Sequence, residues 1–195
     1  DVIVRGGQTM NPSTEDILEA INATPARNIF VLPNNKNIIL AAEQAKALSK
    51  RKLHIIPSHN IPQGLSAVLA FNPEDSVSNN ETNMNDAMQY VRAGMVTYAV
   101  RSTQVDNFDL KEGDIIGIDS KSIVAKGENV NKVTTELIDK MMDDEVTNIT
   151  LYFGNNVSEE EATLIADDLA GKYKKCDVDI LCGGQPLYYY IVSLE

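Results

Sequence analysis

Three short apolar segments, at residues 2–4, 29–32 and 53–56, begin about every 25 residues in the first half of the chain. Each is followed by a polar loop and a stretch with apolar residues at helical spacing. Strands that alternate with helices favour a parallel sheet, because parallel neighbours need a long crossover rather than a tight turn. The first half therefore predicts a parallel βα-repeat subdomain over residues 1–94. Its helices are predicted to begin at Ser13 or Thr14 and to cover residues 36–50, 63–71 and 79–94.

The second half shows a different order of elements. Two apolar runs, 115–118 and 122–125, flank Asp119-Ser120-Lys121, a pattern typical of a hairpin. Further strands are predicted at 95–101, 149–153, 178–181 and 187–192, with helices over 129–143 and after Ser158. Hairpins combined with helical crossovers predict a mixed sheet. We therefore expect a second, smaller α/β subdomain over residues 95–195.

Acidic and basic residues are unequally distributed along the chain. The sequence has 28 Asp and Glu against 17 Lys and Arg, which gives a net charge of −11. Residues 1–105 carry nine acids and nine bases, whereas residues 106–195 carry 19 acids and eight bases. Nucleic acids and anionic membranes attract basic surfaces, so neither is expected as a partner.

The sequence also bears on the cellular location. No apolar run approaches the roughly 20 residues that a membrane span needs, and no signal peptide is present. The sequence begins with Asp1 rather than Met. We expect a cytoplasmic protein without membrane insertion, and we interpret the chain as a piece of a longer one.

Two groups of acidic residues lie at opposite ends of predicted helices, where negative charge has opposite effects. Glu159-Glu160-Glu161 opens a predicted helix, where the helix dipole favours negative charge. Asp143-Asp144-Glu145 closes a helix, where negative charge is disfavoured, and Asp139 adds a like charge one turn earlier. Two interpretations stay open for this second group: a solvated helix end, or part of an acidic surface for a basic protein partner.

The helix after Ser158 carries a further acidic face. Glu160, Glu161, Asp167 and Asp168 lie opposite the apolar positions of this helix. A solvated outer face is a sufficient explanation, but the charges also add to a field that would speed encounter with a basic partner. The predicted partner-binding residues are Asp139, Asp143, Asp144, Glu145, Glu160, Glu161, Asp167 and Asp168.

The loops that follow the predicted strands of the first half are rich in amides and hydroxyls. Parallel sheets bind ligands at the carboxyl edge of their strands, where these loops lie. Thr9, Asn11 and Ser13 are therefore candidates for holding a small anion by hydrogen bonds. The alternative is that such residues only form turns and helix caps.

The residues best suited to catalysis or metal binding are few. His54, His59, Cys176 and Cys182 are the only histidines and cysteines, and their spacing fits no zinc motif. A third possibility is an enzyme that uses Cys182 or His59. No phosphate-binding glycine motif is present. We predict no catalytic residue, no metal site and no cofactor in this chain.

Three segments together resemble a known family. VIVRGGQTMNPSTEDI at 2–17, LHIIPS at 53–58 and GGQPLYYY at 183–190 are similar to the C-terminal region of the kinase subunit of bacterial fatty acid kinase, a relative of dihydroxyacetone kinases. The resemblance implies two DegV-like subdomains, with nucleotide-binding and catalytic domains elsewhere in the longer protein. It also implies a docking role toward the fatty-acid-binding subunit, whose bound lipid is then phosphorylated to an acyl phosphate.

The same resemblance bears on lipid binding by this chain. Fatty-acid-binding relatives hold the lipid carboxylate with a Thr-Ser-Gln-Pro-Ser loop. Here Thr9, Pro12 and Ser13 match that loop, whereas Met10 and Asn11 depart from it. The resemblance therefore favours a docking module that presents an acidic surface to a basic patch on the other subunit, with fatty-acid binding as the alternative.

Overall fold

The computed structural model describes residues 2–6, 11–105 and 108–195. The chain divides into two units, Asp1–Val91 and Arg92–Glu195. The boundary expected from the sequence, between residues 94 and 95, falls inside the first strand of the second unit. The expectation that the second unit is the smaller one is wrong, because it is the longer of the two. The predicted mixed α/β class is confirmed.

The first unit contains a parallel pair of strands with four helices. Its elements are α1 (Thr14–Ala23), β1 (Asn28–Val31), α2 (Lys36–Leu48), β2 (Lys52–Ile55), α3 (Ile61–Leu69) and α4 (Val77–Gln89). β1 and β2 pair in parallel, as the βα repeat predicted. The predicted strand at residues 2–4 is wrong: this segment is not in a strand, and Ile3 is 87% exposed. A strand requires a pairing partner for its backbone, which a run of three apolar residues does not reveal.

Polar residues at the loop ends start every one of these helices. A side-chain oxygen of the residue before the helix accepts a hydrogen bond from a backbone N–H in the first turn, which otherwise has no partner. These capping residues are Ser13, Asn35, Asn60 and Ser76. The helices of the first unit thus begin where local side-chain chemistry allows.

The first unit buries two apolar clusters. Ile17 and Ile21 of α1 pack with Ala42 and Ala45 of α2 and with strand residues that include Leu53. The second cluster combines Ile56, Ala67, Met84 and Met88. Met84 and Met88, one turn apart on α4, thus face this cluster.

The second unit is built on a six-stranded mixed sheet. Its elements are β3 (Arg92–Tyr98), β4 (Thr103–Val105), β5 (Phe108–Leu110), β6 (Ile115–Ile118), β7 (Ile123–Gly127), α5 (Val130–Met141), β8 (Asn148–Phe153), α6 (Glu159–Lys172), β9 (Asp177–Cys182) and β10 (Tyr190–Leu194). The strand order is β7-β6-β3-β10-β8-β9, with β8 and β9 parallel and the other pairs antiparallel. The predicted hairpin is β6–β7, whereas the short antiparallel pair β4–β5 was not predicted.

The last strand lies at the centre of this sheet. β10 pairs with β3 on one side and with β8 on the other, and all five of its residues are buried. Leu137 of α5 and Ile165 and Leu169 of α6 pack in the same core as Tyr190 and Val192. The two helices therefore have one apolar side each in the core, and their opposite sides face outward.

Candidate functional site

The acidic residues near the end of α5 are partly engaged inside the second unit. Both Asp139 carboxylate oxygens accept hydrogen bonds from Lys172 Nζ at the end of α6, at 2.5 and 2.6 Å. The Tyr173 hydroxyl also donates to Asp139. Burial, followed by this hydrogen bond, raises the pKa of Tyr173 well above its ordinary value. Asp139 thus joins α5 to the end of α6.

Asp143 is paired as well. Its carboxylate forms an ion pair with Arg92, and its Oδ1 accepts a hydrogen bond from the Glu145 backbone N–H at 2.9 Å. The Arg92 hydrogen bond is the main cause of the lowered pKa of Asp143. Arg92 Nη1 also donates to the Met141 carbonyl at 3.1 Å, so one guanidinium serves both the helix end and its adjacent acid. A cation at a helix C-terminus offsets the dipole, which explains how an acid is tolerated here.

Asp144 and Glu145 differ from their neighbours. Both residues are exposed in the turn between α5 and β8. All four acids of this group are exposed, but among the described residues only Asp139 and Asp143 form ion pairs. Sequence reasoning missed this division, because Arg92 and Lys172 lie far away along the chain.

The outward side of α6 carries the second predicted group. Glu160, Glu161, Asp167 and Asp168 are exposed, whereas the opposite side of the helix is buried. Glu161 forms a capping box with Ser158: its Oε2 accepts from the Ser158 backbone N–H at 2.9 Å, and its own N–H donates to Ser158 Oγ at 3.2 Å. The Ser158 backbone bond is the main cause of the lowered pKa of Glu161. This carboxylate is held in place as an anion.

Of the three candidate anion-binding residues of the first unit, the structure describes Asn11 and Ser13. Thr9 lies outside the described residues. Asn11 is exposed, and Ser13 caps α1: its hydroxyl donates to Asp16 Oδ2 at 2.8 Å and accepts from the Asp16 N–H at 3.1 Å. The Ser13 backbone bond is the main cause of the lowered pKa of Asp16. The helix cap thus occupies the hydroxyl proposed for ligand binding, and the ligand site stays a prediction.

The loops after β1 and β2 are joined by side-chain hydrogen bonds. The buried Ser58 hydroxyl donates to Asn34 Oδ1 at 2.7 Å and accepts from the Asn34 N–H at 3.0 Å. Asn34 has a φ of 55°, in the left-handed region that Asn tolerates. Gly64 of α3 lies so close to the Asn34 side chain that a Cβ at this position would collide with Asn34 Oδ1. These residues therefore hold the two loops together.

His54, Cys176 and Cys182 have different local surroundings. His54 Nδ1 lies 2.8 Å from Glu81 Oε1, and its ring lies 5.2 Å from that of Phe30. Cys176 contacts the Val146 carbonyl, and Cys182 is exposed. Across residues 2–6, 11–105 and 108–195, no group of three or more His, Cys, Asp or Glu could hold a metal ion. Within those same ranges, no helix is long and apolar enough to span a membrane.

The comparison with known proteins covers the entire chain. Residues 1–195 match the FakA-like family, which is described as the C-terminal part of the A-like subunit of fatty acid kinase. The chain belongs to this family. The resemblance noted from the sequence is thereby confirmed, and the family places the chain within a kinase-related group of proteins.

One relative and two solved structures are similar to this chain. Protein YloV of Bacillus subtilis is 44% identical over 194 residues, which cover 100% of this chain and 35% of that protein. The Streptococcus pneumoniae fatty acid kinase B3 protein, loaded with linoleic acid, superposes with a TM-score of 0.66 at 15% identity, covering 94% of this chain and 76% of that one. Dihydroxyacetone kinase from C. freundii gives 0.63 at 15% identity, covering 94% and 41%.

The solved structures and the curated relative support different conclusions. The structural neighbours share the fold, since their identities are low. The chain spans about a third of the length of the curated relative it matches. This family member is therefore similar in sequence to one part of a longer protein.

Proposed function

We propose that the chain is a docking module of fatty acid kinase that binds the fatty-acid-binding subunit. The module would present the bound fatty acid to the other domains of the longer protein, which would phosphorylate it to an acyl phosphate. Membership in the FakA-like family of fatty acid kinase is the observation that carries this proposal.

The distribution of charge supports an electrostatic contribution to docking. The second unit, residues 92–195, has 19 acids and 10 bases, a balance of −9. Complementary charge on a partner raises the association rate and suppresses wrong partners. We therefore propose that the counterpart of this unit is a basic patch on the fatty-acid-binding subunit.

The pairing within the second unit indicates which acids are most available. Asp139 and Asp143 already face Lys172 and Arg92, so part of their charge is neutralised. Asp144 and Glu145 are exposed beside them. We expect the latter two to contribute more to docking, together with the acidic side of α6.

Sedimentation velocity with the oleate-loaded fatty-acid-binding subunit of the same organism tests the proposal. Because salt screens exposed charges, we expect affinity to fall on the order of tenfold between about 50 and 500 mM NaCl. Combined Asp144→Lys and Glu145→Lys changes should weaken binding at low salt by a similar factor, because they place positive charge opposite a basic patch.

A matched control separates a local effect from a change in total charge. Glu43 and Asp86 are exposed acids on helices of the first unit. Replacing both with Lys alters the net charge equally and should leave affinity within about twofold. Binding that is insensitive to salt and to both double variants would contradict the electrostatic part. Absence of a complex at low salt would contradict the docking role itself.

A further inference from the structure

The acidic side of α6 exposes a large aliphatic side chain at its centre. Leu164 is 63% exposed. On a helix surface, residues three and four positions apart are neighbours. The neighbours of Leu164 on this criterion are Glu160, Glu161, Asp167 and Asp168, which are all acidic and all exposed. An apolar side chain is thus surrounded along the helix by four carboxylates.

The helix beneath this surface is firmly held. Ala162, Ile165 and Leu169 are buried in the core of the second unit with at most 1% exposure. The Ser158 capping box fixes the start of α6, and the Lys172–Asp139 ion pair lies at its end. The outward side chains therefore project from a backbone that needs little ordering upon binding, which favours affinity.

The charge around Leu164 narrows the kind of surface that fits it. Lys172, the one basic residue in the sequence of α6, is engaged by Asp139. An entirely apolar partner would remove water from the four carboxylates without compensation. An apolar pocket with Lys or Arg side chains at its rim satisfies both the leucine and the acids, in the usual pattern of an apolar centre with a polar rim.

We propose that Leu164 is the apolar anchor of the docking surface, inserting into an apolar pocket with a basic rim on the fatty-acid-binding subunit. This rests on the proposed function and adds a residue that charge alone does not indicate. Glu160, Glu161, Asp167 and Asp168 form the acidic rim around the anchor. Leu164 determines how long the complex lasts, and the rim determines how fast it forms.

Biolayer interferometry with the immobilised oleate-loaded fatty-acid-binding subunit, in about 150 mM NaCl, tests the anchor. Leu164→Ala should weaken binding at least about tenfold, mostly through faster dissociation, as for a central interface residue. The dependence of affinity on salt should be retained, because the acids are unchanged. Glu160→Gln with Asp167→Asn should instead slow association and reduce the salt dependence.

Leu40 provides a matched control, because it is a helical leucine of α2 that is 69% exposed. Leu40→Ala should leave affinity within about twofold, since a single exposed leucine outside the proposed docking surface contributes little to binding. Thermal unfolding of both variants reports whether either change alters the fold. Wild-type binding that Leu164→Ala leaves within twofold, with dissociation unchanged, would overturn the anchor but keep the docking role. Failure of the unaltered chain to bind would overturn both.

Discussion

Replacing Tyr190 with Phe is expected to stabilise the second unit. Tyr190 is fully buried in β10, and its hydroxyl has no hydrogen-bond partner among the residues that the structure describes. A buried hydroxyl without a partner has lost its hydrogen bonds to water, at a cost of about 1–3 kcal/mol. Phe keeps the ring and its contacts while removing the oxygen. We expect the free energy of unfolding to rise by about 1 kcal/mol.

Alkaline pH should enlarge this difference. Burial, with a smaller contribution from the Glu161 charge, raises the pKa of Tyr190 from 10.0 to about 12. Between these values the unfolded chain releases the proton while the folded chain keeps it, so stability falls as pH rises. The loss approaches about 1.4 kcal/mol for each pH unit, and it is absent from the Phe variant.

Urea unfolding followed by far-UV circular dichroism at pH 7 and pH 11 measures both effects. Tyr90 offers a control, because it is 77% exposed and its replacement by Phe should change stability by less than about 0.5 kcal/mol. If Tyr190→Phe instead destabilises the protein by about 1 kcal/mol or more, the hydroxyl has a favourable partner such as an ordered water, and the reasoning fails.

Two further predictions concern local packing and capping. Gly64→Ala should lower the free energy of unfolding by about 1–3 kcal/mol, because the added Cβ would displace the Asn34 side chain from Ser58. Gly171→Ala in α6 is the control: its Cβ would meet nothing within 4 Å, so the change should be neutral or stabilising by up to about 1 kcal/mol. Equal urea midpoints for the two variants would contradict this contrast. Ser158→Ala should cost about 1 kcal/mol at pH 7, because it removes the hydroxyl that caps α6. This cost should become smaller once the pH falls through the lowered pKa of Glu161, because a protonated Glu161 no longer accepts the Ser158 hydroxyl bond as an anion. A cost that does not change with pH in thermal unfolding would refute the role of that charge.

The local features of the sequence proved sufficient for the helices. The helices α1 and α6 begin where the sequence predicted, at Ser13 and Ser158, because a capping residue acts on backbone groups only two or three positions away. The buried positions of α6 likewise followed from the 3.6-residue period, which is a property of the helix itself. The segment at residues 2–4 shows the limit of such reasoning, since apolar character alone does not supply a strand partner.

The candidate docking surface was defined partly by the sequence and partly by the tertiary structure. The sequence established the excess of acids in the second half and the shared side of Glu160 and Asp167 on α6. Only the tertiary structure showed that Arg92 neutralises Asp143 and that Lys172 neutralises Asp139. Both pairs join residues that are distant along the chain, and no periodic pattern connects them. The fold brings them together because packing α5 and α6 on one sheet places distant side chains within the reach of a hydrogen bond.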